Sequence, residues 1–199
     1  MPIIEWNPPR LTDQEIEARL GDNAGLVGVD RTRMSRLLCE QLAFGIASRT
    51  LNSFEVTDVL QALEGHRARG HVEVRPFNHP PLKGLLHAHF LQAAFVPMNL
   101  ANEMKTKRGK TQIDSVFADA NLSDDEKVKL SAHQATVGMF ERRSARNALT
   151  GEWIIYAEHQ GQRYYLAIAS HIEDDAVIYK RMMERCEQHF QHIILSVTK

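Results

Sequence analysis

As far as Thr150, the apolar positions of this chain recur mainly at three- and four-residue spacing; beyond it they crowd into short β-branched and aromatic runs. The first pattern predicts amphipathic helices and the second predicts strands. Thr12-Asp-Gln-Glu15 has the spacing of a capping box, and Gly21 makes a stop for a short first helix. Residues 31–50 place Met34, Leu37, Leu38, Leu42 and Ile46 on one stripe, with Asp30 as the expected cap. Ser53 opens a third helix, which holds Phe54, Val56, Val59, Leu60 and Leu63 before Gly65 and Gly70 loosen it.

Residues 71–75, His-Val-Glu-Val-Arg, alternate and read as a short strand. Pro80-Pro81 is expected to begin a helix, because proline's missing N–H costs nothing in a first turn. Leu82, Leu85, Leu86, Ala93 and Val96 would be its apolar face; Pro97 then kinks or ends it, and Met98, Leu100 and Met104 mark its resumption. Ser123-Asp-Asp-Glu126 is a second capping box, opening a long polar helix to about Ala148 with Val128, Ala135, Val137 and Phe140 as scattered contacts.

Residues 153–158 and 163–169 predict a β-hairpin around Gln160-Gly161. With that turn, Glu158 faces Arg163 and Tyr156 faces Tyr165. Asp174 or Asp175 then caps a helix through about His189, and residues 191–197 read as a closing strand. An isolated hairpin is marginal in water, so the sheet must pack on the helices before it. The expected fold is α+β: a single domain over 1–199, with a mostly helical part at 1–148 packed on a small antiparallel sheet. Residues 149–199 supply that sheet in the order β-β-α-β.

Composition narrows the function classes. The chain has 199 residues, 43% hydrophobic and 25% charged, with a formal net charge of −1, so no global basic field argues for nucleic acid. Two basic runs, at 105–110 and 142–146, read most simply as solvated helix ends. Cys39 and Cys186 stand far apart and outside any C-x-x-C pair, which speaks against thiol chemistry and a cysteine zinc site. No basic-then-apolar leader opens the chain and its longest apolar runs are too short for a bilayer. The expectation is a cytoplasmic protein with no membrane partner and no cofactor.

The chemistry rests on histidine, of which there are ten. In a helix over 82–96, His87 and His89 lie roughly 200° apart, at about 100° per residue, and cannot grip one ion; no metal site is expected. His89 falls on the apolar face and reads as a core residue. His79, Lys83 and His87, at intervals of four, line one edge of a cleft where they would contact substrate. On the hairpin, Tyr156, Glu158, Arg163 and Tyr165 share a face and His171 follows the second strand. A carboxylate base (Glu158), a phosphate-holding arginine (Arg163) and a histidine acid (His171) are sufficient parts for cleaving RNA through its 2′-hydroxyl. Tyr156 and Tyr165 would stack bases. P-loop, H-E-x-x-H and G-x-S-x-G motifs are absent. The C-terminal layout resembles ribonucleases of the barnase and RelE type, a fold-level resemblance over about fifty residues without a shared motif. The sequence thus points to a metal-independent ribonuclease-like phosphodiesterase with RNA as partner. The alternative is a non-catalytic interaction protein, such as a regulator, an antitoxin- or immunity-type partner or a complex subunit, with a protein partner.

Overall fold

Both capping boxes form. Thr12 caps α1 (Asp13–Leu20) and Ser123 caps α5 (Asp124–His133), each exchanging hydrogen bonds with the glutamate three residues on. The computed structural model describes residues 6–66, 72–90, 103–138 and 152–198. Its other helices are α2 (Arg36–Ala47), α3 (Ser53–Leu63), α4 (Lys107–Ala118), α6 (Asp175–Arg185) and α7 (Gln188–Val197). Four strands, β1 (Val74–Pro76), β2 (Leu86–Phe90), β3 (Glu152–His159) and β4 (Gln162–Ser170), make one antiparallel sheet in the order β1-β2-β3-β4. The class is α+β.

The chain divides into two compact units, residues 1–90 with 151–199 and residues 91–150. In the second unit the described residues hold α4, α5 and a wider turn at Gln134–Gly138. The expected resumption at 98–104 and the continuation to Ala148 fall largely outside the described residues.

The hairpin of the first unit follows its turn chemistry. Gln160 and Gly161 both have positive φ, 52° and 75°, the combination that joins two twisted strands tightly. Glu158 pairs with Arg163 and Tyr156 with Tyr165, as the turn requires. Further along, Ile155 faces Ala167, so Leu166 is an extra residue on β4. The bulge turns Leu166 and Ala167 to the same side, where both join the core under α6 and α7.

Two expected elements take the other regular form. Residues 86–90 are a strand, not part of a helix: Leu86, Ala88 and Phe90 face the N-terminal helices, and His87 and His89 point to the opposite side. A period of two fits this stretch as well as a helical one, and pairing with β3 decides it. The chain reaches β2 through a turn in which the Pro80–Pro81 peptide is cis. Residues 191–197 are helical; Phe190, Ile193, Ile194 and Val197 have helical spacing and pack together in the second core. The helix expected over 31–50 is split, a short 3₁₀ turn at Arg31–Arg33 capped by Asp30 and then α2, capped by Ser35.

Helices cover both faces of the sheet. On one face α1, α2 and α3 bury Leu38, Leu42, Val56 and Leu60 against Ala88, Ile154, Tyr156, Tyr165 and Ile168. On the other, Ile178, Met182, Phe190 and Ile194 of α6 and α7 lie on Ile155, Ala157, Ala167 and Ala169. The outer edge of β4 is sealed by α2. Ser35 donates its N–H to Tyr165 O (2.8 Å) and its hydroxyl to Leu166 O (2.5 Å). The Gln41 amide gives Nε2–H to Ile168 O (3.0 Å) and accepts Ile168 N–H at Oε1 (2.7 Å), as a neighbouring strand would.

Next to Gln41, Glu40 is fully buried and ties three parts of the first unit together. It accepts from Arg185 of α6 at 2.5 Å and from the Leu11 N–H at 3.2 Å, with Arg36 at 3.4 Å. Glu40→Ala should destabilise by about 3–5 kcal/mol, because the buried Arg185 guanidinium then lacks its counter-charge; denaturant unfolding measures it. Gly84, at φ +96°, lies where a Cβ would meet the Val197 carbonyl at 1.9 Å. Gly84→Ala should therefore lower the unfolding midpoint by displacing the end of α7, and a midpoint equal to wild type would show that α7 does not dock there.

Candidate functional site

Alternation along the strands assembles a site that the sequence distributes over almost a hundred residues. Glu73 lies just before β1, opposite His89, and Arg75 pairs with His87. His87 pairs in turn with Ile155, and His89 with Trp153. Each row runs across one face of the sheet, and His171 follows the end of β4 beside Trp153. The ring centroids of His87 and His89 are 5.2 Å apart, those of His89 and His171 6.2 Å, and those of Trp153 and His171 4.8 Å. Phe77 packs on the other side of His87 at 4.6 Å.

Depth is graded across this group. His87 and Trp153 are each 8% exposed and form a floor; His89 is partly buried, and His171 and Arg75 are open to solvent. A cleft of about 560 Å³ has Ile172, next in the chain to His171, in its wall together with Glu173, Asp174, Lys180, Arg181 and Glu184, and none of the three histidines lines it. Glu73 holds Arg75 in an ion pair through the guanidinium Nε and NH2. On the floor, His87 Nδ1 and Trp153 Nε1 are buried with no hydrogen-bond partner among the described residues. A buried polar group left in that state costs about 1–3 kcal/mol.

Burial sets the protonation of these rings. It pushes the His87 imidazole from the ordinary 6.5 down to about 3, with the charges of His89, His171 and Arg75 acting in the same direction. His89 is lowered as well, first by burial; Glu73 opposes the shift while His171 and Arg75 add to it. Both rings are neutral at pH 7 and hold a lone pair ready to accept a proton.

The residues singled out in the sequence separate into three places. Glu158 and Arg163 form their cross-strand ion pair at 3.2 Å near the hairpin turn, and Arg163 also donates to the Leu63 carbonyl. Tyr156 and Tyr165 are only 1% and 0% exposed, packed under α2 and α3 rather than under the C-terminal helices, and the Tyr165 hydroxyl donates to Glu64 at 2.5 Å. Burial raises the Tyr156 phenol to about 12 and lifts that of Tyr165 still further. Neither face is open for a base to stack. His171 lies just past the far end of β4, eight residues from Arg163, roughly 26 Å at 3.3 Å per residue. The structure therefore does not bring His171 to Glu158 and Arg163. It brings His171 to His87 and His89. His79 and Lys83 are exposed in the turn before β2, without the helical alignment their spacing implied.

The sequence reasoning missed Glu73, Arg75, His89 and Trp153 as site residues. The available signal was the i, i+2 spacing of Glu73 with Arg75 and of His87 with His89, which aligns side chains only on strands. His87 and His89 do share a face, contrary to the helical argument against a metal. Among the described residues, however, no three His, Cys, Asp or Glu side chains are arranged to hold a metal ion. Comparison with protein-family models, curated proteins and solved structures finds no match for this chain. Among the described residues no helix is long and apolar enough to cross a membrane.

The depth order reverses the one the helix implied, in which His89 was the core residue. His87→Ala should cost about 2 kcal/mol or more by emptying the space between Phe77 and Trp153, and His89→Ala less. The pH dependence has a definite sign. Below about 6.5 the unfolded chain binds a proton at His87, while the folded protein binds it only near 3, so stability falls as pH drops through this window. In His87→Phe, which keeps a ring in place but cannot titrate, unfolding midpoints measured from pH 7 to pH 4 should fall less steeply than in wild type.

Proposed function

We propose that the protein cleaves RNA by transesterification through the 2′-hydroxyl, at the sheet face that carries His87, His89, His171, Glu73 and Arg75. The observation that carries this reading is the approach of three imidazoles from two separate strand ends to one another, with an arginine and a carboxylate on the same face. Such a reaction needs a proton acceptor for the nucleophile, a proton donor for the leaving group and a cation on the phosphate. Side chains alone supply all three here.

His89, neutral and partly open, takes the proton of the 2′-hydroxyl. The 2′-oxygen attacks phosphorus and the bond to the 5′-oxygen breaks. His171, on the exposed side, gives its proton to that departing oxygen. The products are a 2′,3′-cyclic phosphate and a free 5′-hydroxyl. Arg75 leaves Glu73 to hold the non-bridging oxygens, while His87 and Trp153 form the floor. In this reading the acid expected at His171 keeps its role, while the roles expected of Glu158 and Arg163 pass to His89 and Arg75.

The test is cleavage of a dinucleoside monophosphate and of a single-stranded RNA, with the products identified. Wild type should yield cyclic phosphate, and a 2′-deoxy substitution at the scissile position should abolish cutting. His89→Asn and His171→Ala should each lose ~10²–10⁴ in rate, the usual contribution of one acid–base group. Glu158→Gln should retain activity. Wild-type protein that neither cuts nor binds RNA would retire this reading in favour of a non-catalytic interaction protein.

A further inference from the structure

The two helices described in the 91–150 unit treat the helix dipole in opposite ways. An α-helix carries partial positive charge at its N-terminus, so carboxylates stabilise the first turn and cations destabilise it. α5 obeys the rule: Asp124, Asp125 and Glu126 occupy its first turn behind the Ser123 cap. α4 breaks it. Its first turn contains no acidic residue, and Lys107, Arg108 and Lys110 stand there instead, just after Lys105.

These four cations fall within six residues, all exposed, and none forms an ion pair among the described residues. Lys129 on α5 and Lys180 on α6, by contrast, each pair with a carboxylate four residues away, at 2.6 and 3.8 Å, whereas Asp114, four residues after Lys110, forms no such pair among the described residues. An open groove runs along the side of α4 that carries two of these cations, lined by Lys107, Arg108, Thr111, Gln112 and Ser115. That spacing of one, four and five residues makes a continuous polar stripe two turns long, with its charge concentrated at one end. In a chain of net charge −1, this is a local concentration of uncompensated positive charge, placed where it works against the helix.

We infer that this stripe of α4 binds the phosphate backbone of single-stranded RNA. A polyanion removes the mutual repulsion of the four cations and completes the positive end of the helix at once. A neutral or acidic-peptide partner lacks the evenly repeated charge that fits a linear stripe. The inference rests on RNA being the substrate of the sheet site, and it adds a second contact that is independent of sequence and of the cleavage chemistry. Backbone neutralisation of this kind is recognised by its salt dependence.

The experiment measures binding of a fluorescein-labelled, fully 2′-O-methylated single-stranded RNA, which cannot be cleaved through its 2′-oxygen, by anisotropy over a range of salt. Each phosphate neutralised on a single strand contributes about −0.7 to the slope of log K against log salt. Lys107→Gln with Arg108→Gln should therefore make the slope shallower by about 1.4. Lys127→Gln with Lys129→Gln, on α5, should leave it nearly unchanged. The α4 double variant should unfold at a midpoint no lower than wild type, because it removes cations from the positive end of a helix, so weaker binding would not reflect misfolding. Its rate on a dinucleoside monophosphate should match wild type.

Wild-type binding with a slope that the α4 variant does not alter would overturn the assignment of the stripe and leave the cleavage reading standing. A shallower slope in the α4 variant of a protein that cleaves nothing would sustain the stripe and overturn the cleavage reading. Absence of RNA binding by wild type at low salt would overturn the stripe.

Discussion

The outer edge of β4 is the constraint on which the first unit is built. An edge strand presents a row of unpaired N–H and C=O groups, which cannot be buried unless something bonds to them. α2 meets that need from one side: Ser35 bonds at Tyr165 and Leu166, and the Gln41 amide makes the two-way exchange with Ile168. Once the helix is fixed in this register, its apolar stripe must lie on the sheet, and Leu38 and Leu42 enter the first core. Glu40, one residue before Gln41, is carried into the interior by the same docking and recruits Arg185 from α6. The helix that seals the edge thus also ties the N-terminal layer to the C-terminal one. An apolar stripe alone would not require that orientation; the polar bonds to β4 do.

Local signals were legible wherever a single residue type dictates a backbone geometry. Thr12, Ser123 and Asp174 cap helices because a side-chain oxygen reaches a free N–H, and Gln160-Gly161 fixes the hairpin register because both residues take positive φ. Signals failed where two periods fit the same letters. Leu82, Leu85 and Leu86 suggested a helical face, yet Leu86, Ala88 and Phe90 alternate equally well, and only pairing with β3, more than sixty residues away, selects the strand. Residues 191–197 misled in the other direction. Their β-branched content outweighed a helical spacing that Phe190, Ile193, Ile194 and Val197 displayed openly, because intrinsic strand preference is weaker than packing context.

The candidate site inherited the same ambiguity. A face made from β1, β2, β3 and the end of β4 appears only when strand order is known, since Glu73, His89, Trp153 and His171 have no fixed spacing in the chain. The hairpin residues Glu158, Arg163, Tyr156 and Tyr165 were correctly paired and correctly placed on one face. That face is the one α2 and α3 bury, which a local register cannot reveal. Which side of a hairpin stays accessible is decided by the helices that dock on it.

Two departures from local rules lie at the residues to which the proposed activities are assigned. On the floor of the histidine face, His87 Nδ1 and Trp153 Nε1 are buried without partners among the described residues, and burial lowers the His87 imidazole far below its ordinary range. In the inserted unit, four cations gather at the positive end of α4 while the adjacent α5 follows the opposite rule. Other buried polar groups, Gln41, Glu40 and Ser35 among them, are bonded in detail, whereas Trp6 Nε1, Ser170 Oγ and Arg181 Nε share the unpartnered state among the described residues. Natural sequences stay consistent from propensity to packing except where function demands otherwise. On the proposed reading these two regions have complementary chemistry: one holds neutral imidazoles that would move protons, and the other holds positive charge that would attract phosphate. On the proposed reading RNA is the class of molecule that would use both, offering the first a 2′-hydroxyl to deprotonate and the second a repeating anion to bind.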